Sequence, residues 1–138
     1  MTYGISFAQK LLDAGKYEEA ALEATKASER EPEDPEPFFE RATAFFNLDR
    51  YVEAAADYER ALELDVEAQV LTTDFVDDAY FSALLGAARR DPVADGVKRL
   101  DRYAQVLPAG RHVADARDWQ KRLRGELQSE FVKERLEE

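Results

Sequence analysis

The residue types that most often carry chemistry are sparse in this chain. There is no cysteine, and the single histidine, His112, has no partner at a metal-ligand spacing such as H-E-x-x-H. The six glycines are scattered singly, so no glycine-rich loop is available to cradle a phosphate, and no G-x-S-x-G motif is present. We therefore expect no catalytic residue, no metal and no cofactor, and we interpret His112 as a surface side chain.

One acidic cluster, Asp74, Asp77 and Asp78, raises the question of a cation site. It lacks the D-x-D-x-D-G spacing of a calcium loop. Carboxylates in the first turn of a helix interact favourably with the helix dipole. We therefore interpret the cluster as helix-start residues and expect a protein that is not an enzyme.

Length and composition indicate one helical domain. The 138 residues are 45% hydrophobic and 36% charged, and Ala, Glu, Leu and Arg are abundant, which is typical of a globular all-α chain. The N-terminus, MTYGISFAQKLLDAG, has neither a basic start nor a continuous apolar stretch. We expect no signal peptide, no membrane span and a cytoplasmic location.

The charge is concentrated in the first half of the chain. The formal net charge is −11, and residues 1–68 hold seven Lys/Arg against seventeen Asp/Glu. Such a surface repels phosphate backbones, so we expect no nucleic-acid partner, whereas a basic protein surface would be steered toward it. Simple solvation of a small domain explains the same charge.

One pattern is written twice within residues 1–68. GKYEEAALEATKASEREPED, residues 15–34, aligns with DRYVEAAADYERALELDVEA, residues 49–68. A period of this length is typical of stacked helix pairs. We expect a first helix over 3–14 closed by Gly15, a second over 17–30, and a third that begins after Asp34 as N-cap with Pro35 in its first turn.

This pattern resembles the tetratricopeptide repeat, which carries W-x2-L-G-x2-Y, then A-x3-F, then A and P. The first unit matches at Tyr17, Ala20, Ala24, Ala27 and Pro32; the second matches at Phe38, Ala42, Phe45, Ala54, Tyr58 and Ala61. Gly4 stands in place of the Trp in the first unit, and Arg41 and Val66 in place of the Leu and Pro in the second. The resemblance implies a right-handed α-solenoid of antiparallel helix pairs, with units at 1–34 and 35–68.

The rest of the chain predicts a degenerate third unit and a cap. A unit at 77–110, after an insertion at 69–76, has Asp91-Pro92 as a second N-cap and proline, and the sizes of Gly96 and Tyr103 are swapped relative to the pattern. Apolar residues then recur through 111–138, which predicts one long amphipathic capping helix with Trp119 as its buried anchor.

In the family that the sequence resembles, the first helices of the pairs line an inner wall that binds a peptide or a partner helix. The residues that the alignment assigns to this wall are Ile5, Gln9, Leu12, Asp13, Phe39, Thr43, Phe46, Asn47, Phe81, Leu85, Ala88 and Arg89. A mostly apolar wall suits an apolar or amphipathic helical segment. Members that clamp a C-terminal carboxylate use Lys and Asn; Ile5 stands where such a Lys would be, so we expect no carboxylate clamp.

Two functions follow from this interpretation. The first is an adaptor that binds a segment of a partner protein in the groove. The second is a structural subunit, a monomer or weak homodimer, whose C-terminal helix fills its own groove or that of a neighbour. In the dimer, the basic residues Arg117, Lys121, Arg122 and Arg124 would meet the acidic first half of the second copy. The cap or dimer contacts would be Trp119, Leu123, Leu127 and Phe131.

Overall fold

The computed structural model describes residues 5–65 and 73–125, and within those residues the chain forms seven α-helices and no strand. The helices are α1 (Phe7–Asp13), α2 (Tyr17–Arg30), α3 (Pro35–Asn47), α4 (Tyr51–Leu64), α5 (Thr73–Ala88), α6 (Val93–Val106) and α7 (Val113–Leu123). Each helix packs chiefly against its neighbours in the chain, and α1 also contacts α3. The expected all-α repeat architecture is therefore confirmed. No helix among the described residues is long and apolar enough to cross a bilayer.

The helix boundaries follow the local chemistry of the repeat. The Asp34 carboxylate accepts a hydrogen bond from the backbone N–H of Glu36 (3.0 Å), and Pro35 occupies the first position of α3, where its missing N–H costs nothing. Gly15 ends α1 with a φ of 75°, and Asp49, at the equivalent position of the second unit, ends α3 with a φ of 60°. The first two pairs therefore share the same left-handed turn.

Buried side chains form two clusters of unequal size. The smaller joins α1, α2 and α3 through Leu11, Leu12, Ala20, Ala21 and Ala44. The larger extends from α3 to α7, and its largest members are Tyr58, Tyr80, Phe81, Leu100 and Tyr103. Alanines let the first helices approach closely, whereas aromatic rings make up much of the larger cluster.

The third pair starts earlier than expected and uses a different cap. Helix α5 includes Thr73, so part of the predicted insertion at 69–76 is helical. The expected N-cap at Asp91 is wrong: Pro92 precedes α6 without a side-chain cap, and the Asp91 carboxylate instead accepts a hydrogen bond from Arg99 Nε. The Asp91 carboxylate therefore pairs with Arg99 and does not accept a hydrogen bond from the backbone at the start of α6.

The predicted single helix over 111–138 is also wrong. Helix α7 ends at Leu123, and Gly125 follows with a φ of 85°, a left-handed conformation that terminates helices. Trp119 is half-buried instead of fully buried, since the positions of α7 that face inward are Ala116 and Gln120. The predicted contacts at Leu127 and Phe131 lie outside the described residues.

Contacts between residues 34 positions apart show where α7 belongs in the stack. Ser6 donates to the Glu40 carboxylate, which links α1 to α3. In the same way, the Arg111 backbone N–H donates to Asp77 (2.9 Å), and His112 Nε2 lies 2.6 Å from Asp78. Helix α7 therefore stands beside α5 as α3 stands beside α1, in the place of the first helix of a fourth pair.

Candidate functional site

The proposed wall is formed by the first helices of successive pairs, and its centre lies on α3. Phe39, Thr43 and Phe46 are each half-buried there. The Phe39 ring lies 5.7 Å from Tyr58 and the Phe46 ring 5.3 Å from Tyr51, both measured between ring centroids. The Thr43 hydroxyl is within hydrogen-bond distance of the Phe39 carbonyl (3.0 Å) and of the Tyr58 hydroxyl (3.2 Å). Helix α4 thus holds these side chains in place while part of each stays exposed.

Phe75 is the wall residue that the repeat alignment missed. Its side chain is 58% exposed, and its ring centroid lies 5.8 Å from that of Phe39. The alignment had assigned this residue to the insertion. The recurrence of Phe75, Ala79 and Ala83 at four-residue spacing was the available signal that α5 begins before residue 77.

Leu12, Phe81 and Ala88 are corrections to the predicted wall. Leu12 is only 9% exposed and packs in the small cluster between α1, α2 and α3. Phe81 is 7% exposed, because the His112 ring stacks on it at 4.5 Å and Tyr103 packs against its edge at 5.3 Å. Ala88 is fully buried in the large cluster. All three are core residues and offer no docking surface.

The remaining predicted wall residues are at least partly accessible. Ile5 precedes α1 and is 60% exposed, and Leu85 is half-buried against the large cluster. The polar residues bond along their own helices: Gln9 Nε2 donates to Asp13 (2.9 Å) and Asn47 Nδ2 donates to the Thr43 carbonyl (2.8 Å). Their remaining donors and acceptors can still face a ligand.

Arg89 and Trp119 meet at the α7 end of this wall. The Arg89 guanidinium lies over the Trp119 indole, at 5.2 Å from the ring centroid. Trp119 and Leu123 are half-buried and pack on the large cluster. The contacts Phe39–Phe75 and Arg89–Trp119, with the packing of α1 on α3, therefore join the first helices of successive pairs into a single row.

His112 is not the free surface side chain that the sequence suggested. Its two ring nitrogens lie 2.8 Å from an oxygen of Asp115 and 2.6 Å from an oxygen of Asp78, and the ring stacks on Phe81. Burial alone would lower its pKa, but the hydrogen bonds to Asp78 and Asp115 raise the pKa above its ordinary value. The histidine ties α7 to α5.

The acidic cluster has the same structural role. Asp77 is 5% exposed and accepts hydrogen bonds from the Tyr103 hydroxyl and the Arg111 backbone N–H. Burial and the hydrogen bond with Asp77 raise the pKa of Tyr103 well above its ordinary value. Within residues 5–65 and 73–125, no three His, Asp or Glu side chains are arranged to hold a metal ion.

A separate cleft of about 440 Å³ opens on the side of the second helices, between α4 and α6. Ala55, Ala56 and Leu84 are among its lining residues, and two of its ion pairs are Glu59–Arg102 and Asp91–Arg99. The size is within the range of small-ligand pockets. Because those four charges already neutralise one another, they leave little net charge with which to attract a ligand.

Stacked helix pairs whose equivalent contacts recur at a separation of 34 positions define a helical-repeat scaffold. Residues 35–67 match the family model of the tetratricopeptide repeat. The fold is similar to a solved structure described as the first TPR of Spaghetti (RPAP3) bound to HSP90 peptide SRMEEVD, with a TM-score of 0.55 and 21% identity. That likeness covers 88% of this chain and 87% of the other. Among curated proteins, no relative matches this sequence. The chain thus holds one match to the tetratricopeptide repeat, at residues 35–67, within an all-α helical-repeat fold.

Proposed function

We propose that the chain is a protein-interaction adaptor that binds an apolar or amphipathic helical segment of a partner protein along α1, α3, α5 and α7. The observation that carries this proposal is the pair Phe39 and Phe75. The two rings are in contact, and the Phe75 ring remains mostly exposed. Exposed aromatic side chains on a rigid surface are common anchors for a partner's apolar residues.

The residues of the wall suit a helical ligand better than the C-terminal carboxylate of an extended peptide. The structural neighbour binds the HSP90 peptide SRMEEVD, but Ile5 stands here where a carboxylate-clamping Lys would be. An aromatic pair on α3 and α5, followed by Leu85, suits side chains presented at helical spacing. We place the adaptor in the cytoplasm and assign it no catalytic step.

The most direct test removes Phe75 without disturbing the core. Phe75→Asp places a charge among the wall aromatics, and we expect recovery of bound partners from a lysate to fall at least tenfold. Leu22→Asp is the matched control, because Leu22 is 64% exposed on α2, a helix outside the wall. Circular dichroism should show both variants folded.

Equal recovery of the same partners by both variants would reject the proposed wall. Phe39→Ser and Phe46→Ser would be poorer probes, since both rings pack on the large cluster and their removal also lowers stability. Light scattering of the full chain against one ending at Gly125 tests the alternative. A dimer that becomes a monomer on truncation would favour the self-associating subunit.

A further inference from the structure

Two arginines flank the single tryptophan of the chain at the α7 end of the wall. Arg89 Cζ lies 5.2 Å and Arg122 Cζ 5.0 Å from the Trp119 ring. Both arginines are exposed, and neither forms an ion pair with any carboxylate of the described residues. The three side chains form what we call the Arg–Trp–Arg patch.

Two arginines with no ion-pair partner among the described residues thus lie at one ring, in a chain with 30 Asp and Glu. Seven other arginines of the described residues form ion pairs, among them Arg41 with Asp57, Arg102 with Glu59 and Arg117 with Asp101. Arg30, Arg90 and Arg124 form none there, but they do not flank Trp119. The patch therefore keeps a local positive charge on an acidic protein. At physiological salt that charge acts over about 8 Å, so it is felt by a ligand in contact with it more than by one at a distance.

The chemistry of the patch suits a carboxylate. A guanidinium stacked on an indole keeps its N–H edge free to donate two parallel hydrogen bonds. A carboxylate that accepts hydrogen bonds from either guanidinium group would offset its charge, while the indole offers a surface for the aliphatic part of the same side chain. Glutamate and aspartate side chains provide both features.

The patch continues the proposed wall. Trp119 stands 34 positions after Leu85, the same separation as Asp78 from its neighbour His112. A helix lying across Phe75 and Phe39 toward α7 would thus reach Arg89 and Arg122 with one of its ends, while Asp13 lies on α1 at the other end of the row.

We propose that the Arg–Trp–Arg patch binds acidic side chains at one end of the partner helix and so fixes the direction in which that helix lies. This inference rests on the proposed function, which supplies the wall. It commits the adaptor to a partner of defined chemistry: an amphipathic helix with apolar residues on one face and Asp or Glu clustered at one end.

A display library of randomised helical peptides, long enough for about four turns and selected on the full chain, tests both ideas separately. We expect the selected peptides to combine apolar residues at three- and four-residue spacing with Asp or Glu enriched at one end. On Arg89→Gln/Arg122→Gln the apolar preference should persist and the acidic enrichment should disappear. Arg30→Gln/Arg60→Gln, which changes the net charge equally on exposed positions of α2 and α4, should select like the native chain.

A selected peptide then gives the affinity, with Trp119 fluorescence as the reporter because both variants retain this residue. Loss of the two arginines, or replacement of the peptide's Glu by Gln, should each weaken binding about tenfold. The inference would be overturned if peptides selected on Arg89→Gln/Arg122→Gln were still enriched in Asp or Glu. It would also be overturned if peptides selected on the native chain were apolar without that enrichment. Neither result would contradict the proposed binding of an apolar helix along the wall. No apolar selection at all would reject the proposed function itself. If the peptide binds only to a chain ending at Gly125, residues 126–138 compete for the patch in the full chain. That result would overturn the inference that the patch binds an external partner.

Discussion

The two ends of this stack are held together by different kinds of side chain. Between α1, α2 and α3, Leu11, Leu12 and three alanines bury apolar surface and carry no side-chain polar atom. Between α5, α6 and α7, the rings of Tyr103, Phe81 and His112 pack on one another, and the Asp77 carboxylate accepts a hydrogen bond from the Tyr103 hydroxyl. The first region depends mainly on the close approach of small apolar side chains, with the hydrogen bond from Ser6 to the buried Glu40 beside them. The second depends on a polar network inside an aromatic core.

The difference shows what a repeat can tolerate. Alanine side chains carry no hydrogen-bonding group, so packing contributes most of the stability of the first interface. A buried network stabilises only when each member is satisfied, and among the described residues no buried side-chain nitrogen or oxygen lacks a hydrogen-bond partner. The degenerate third unit therefore depends on particular hydrogen-bond partners, Asp77 and Tyr103 among them, although its sequence matches the pattern less well.

Tyr103→Ala should break the second region most severely. The change removes a fully buried ring and leaves the Asp77 carboxylate without its hydroxyl donor, so we expect the free energy of unfolding to fall by about 5 kcal/mol. Urea denaturation measures the loss. Tyr103→Phe keeps the ring and should cost about 2 kcal/mol. Equal losses for the two variants would show that packing alone holds this region.

Arg41→Leu tests a polar pair that stands beside the first region. Arg41 donates to both oxygens of Asp57, at 2.7 and 2.8 Å, where the repeat pattern has a leucine. Leucine would leave the Asp57 carboxylate buried and unpaired, and we expect a loss of about 3 kcal/mol.

The double variant Arg41→Leu/Asp57→Leu is the control, since removing both charges should restore stability to within about 1 kcal/mol of the native chain. A double variant as unstable as the single one would mean that the arginine stem, and not its charge, stabilises the pair.

His112→Gln should have the smallest effect, visible in the pH dependence. Because the pKa of His112 is raised in the folded chain, its contribution is complete below the ordinary pKa of about 6.5 and is lost as pH rises through the raised value. The titratable and charged groups around the His112 ring are Asp77 and Asp78 on α5, Tyr103 on α6, Arg111 before α7, and Asp115 on α7.

Above that pH the neutral ring can donate to only one carboxylate. We expect the native chain to lose about 1 kcal/mol relative to His112→Gln across this window, a value kept small by the exposure of Asp78 and Asp115. Denaturation midpoints at a series of pH values measure it. Parallel curves for the two proteins would remove His112 from the contact between α5 and α7.

The sequence was sufficient where the repeat is regular. The left-handed turn at Gly15, the cap at Asp34 and the alanines of α2 follow from local rules, and the structure has each of them. The all-α helical-repeat fold followed from the same residues.

The prediction was wrong where contacts with residues distant in the sequence determine the position or burial of a side chain. His112 was taken for a surface residue because its partners Asp78 and Phe81 stand more than 30 positions away. Phe75 was left out of the predicted wall because residues 69–76 were assigned to an insertion. The extent of α7 was overestimated because apolar spacing continues past Gly125 while the backbone turns there. Spacing alone could not separate exposed wall residues from core residues, and Leu12, Phe81 and Ala88 were misplaced for that reason.

The succession of contacts along the chain, each helix against the next, also governs how the molecule forms. Contacts between near neighbours in sequence cost little loop-closure entropy, so folding should be fast for a domain of this size. Opening can begin at either end and move inward one helix at a time. Hydrogen exchange should therefore be slowest in α4 and α5, and a partner that lies across the whole row would slow exchange at both ends.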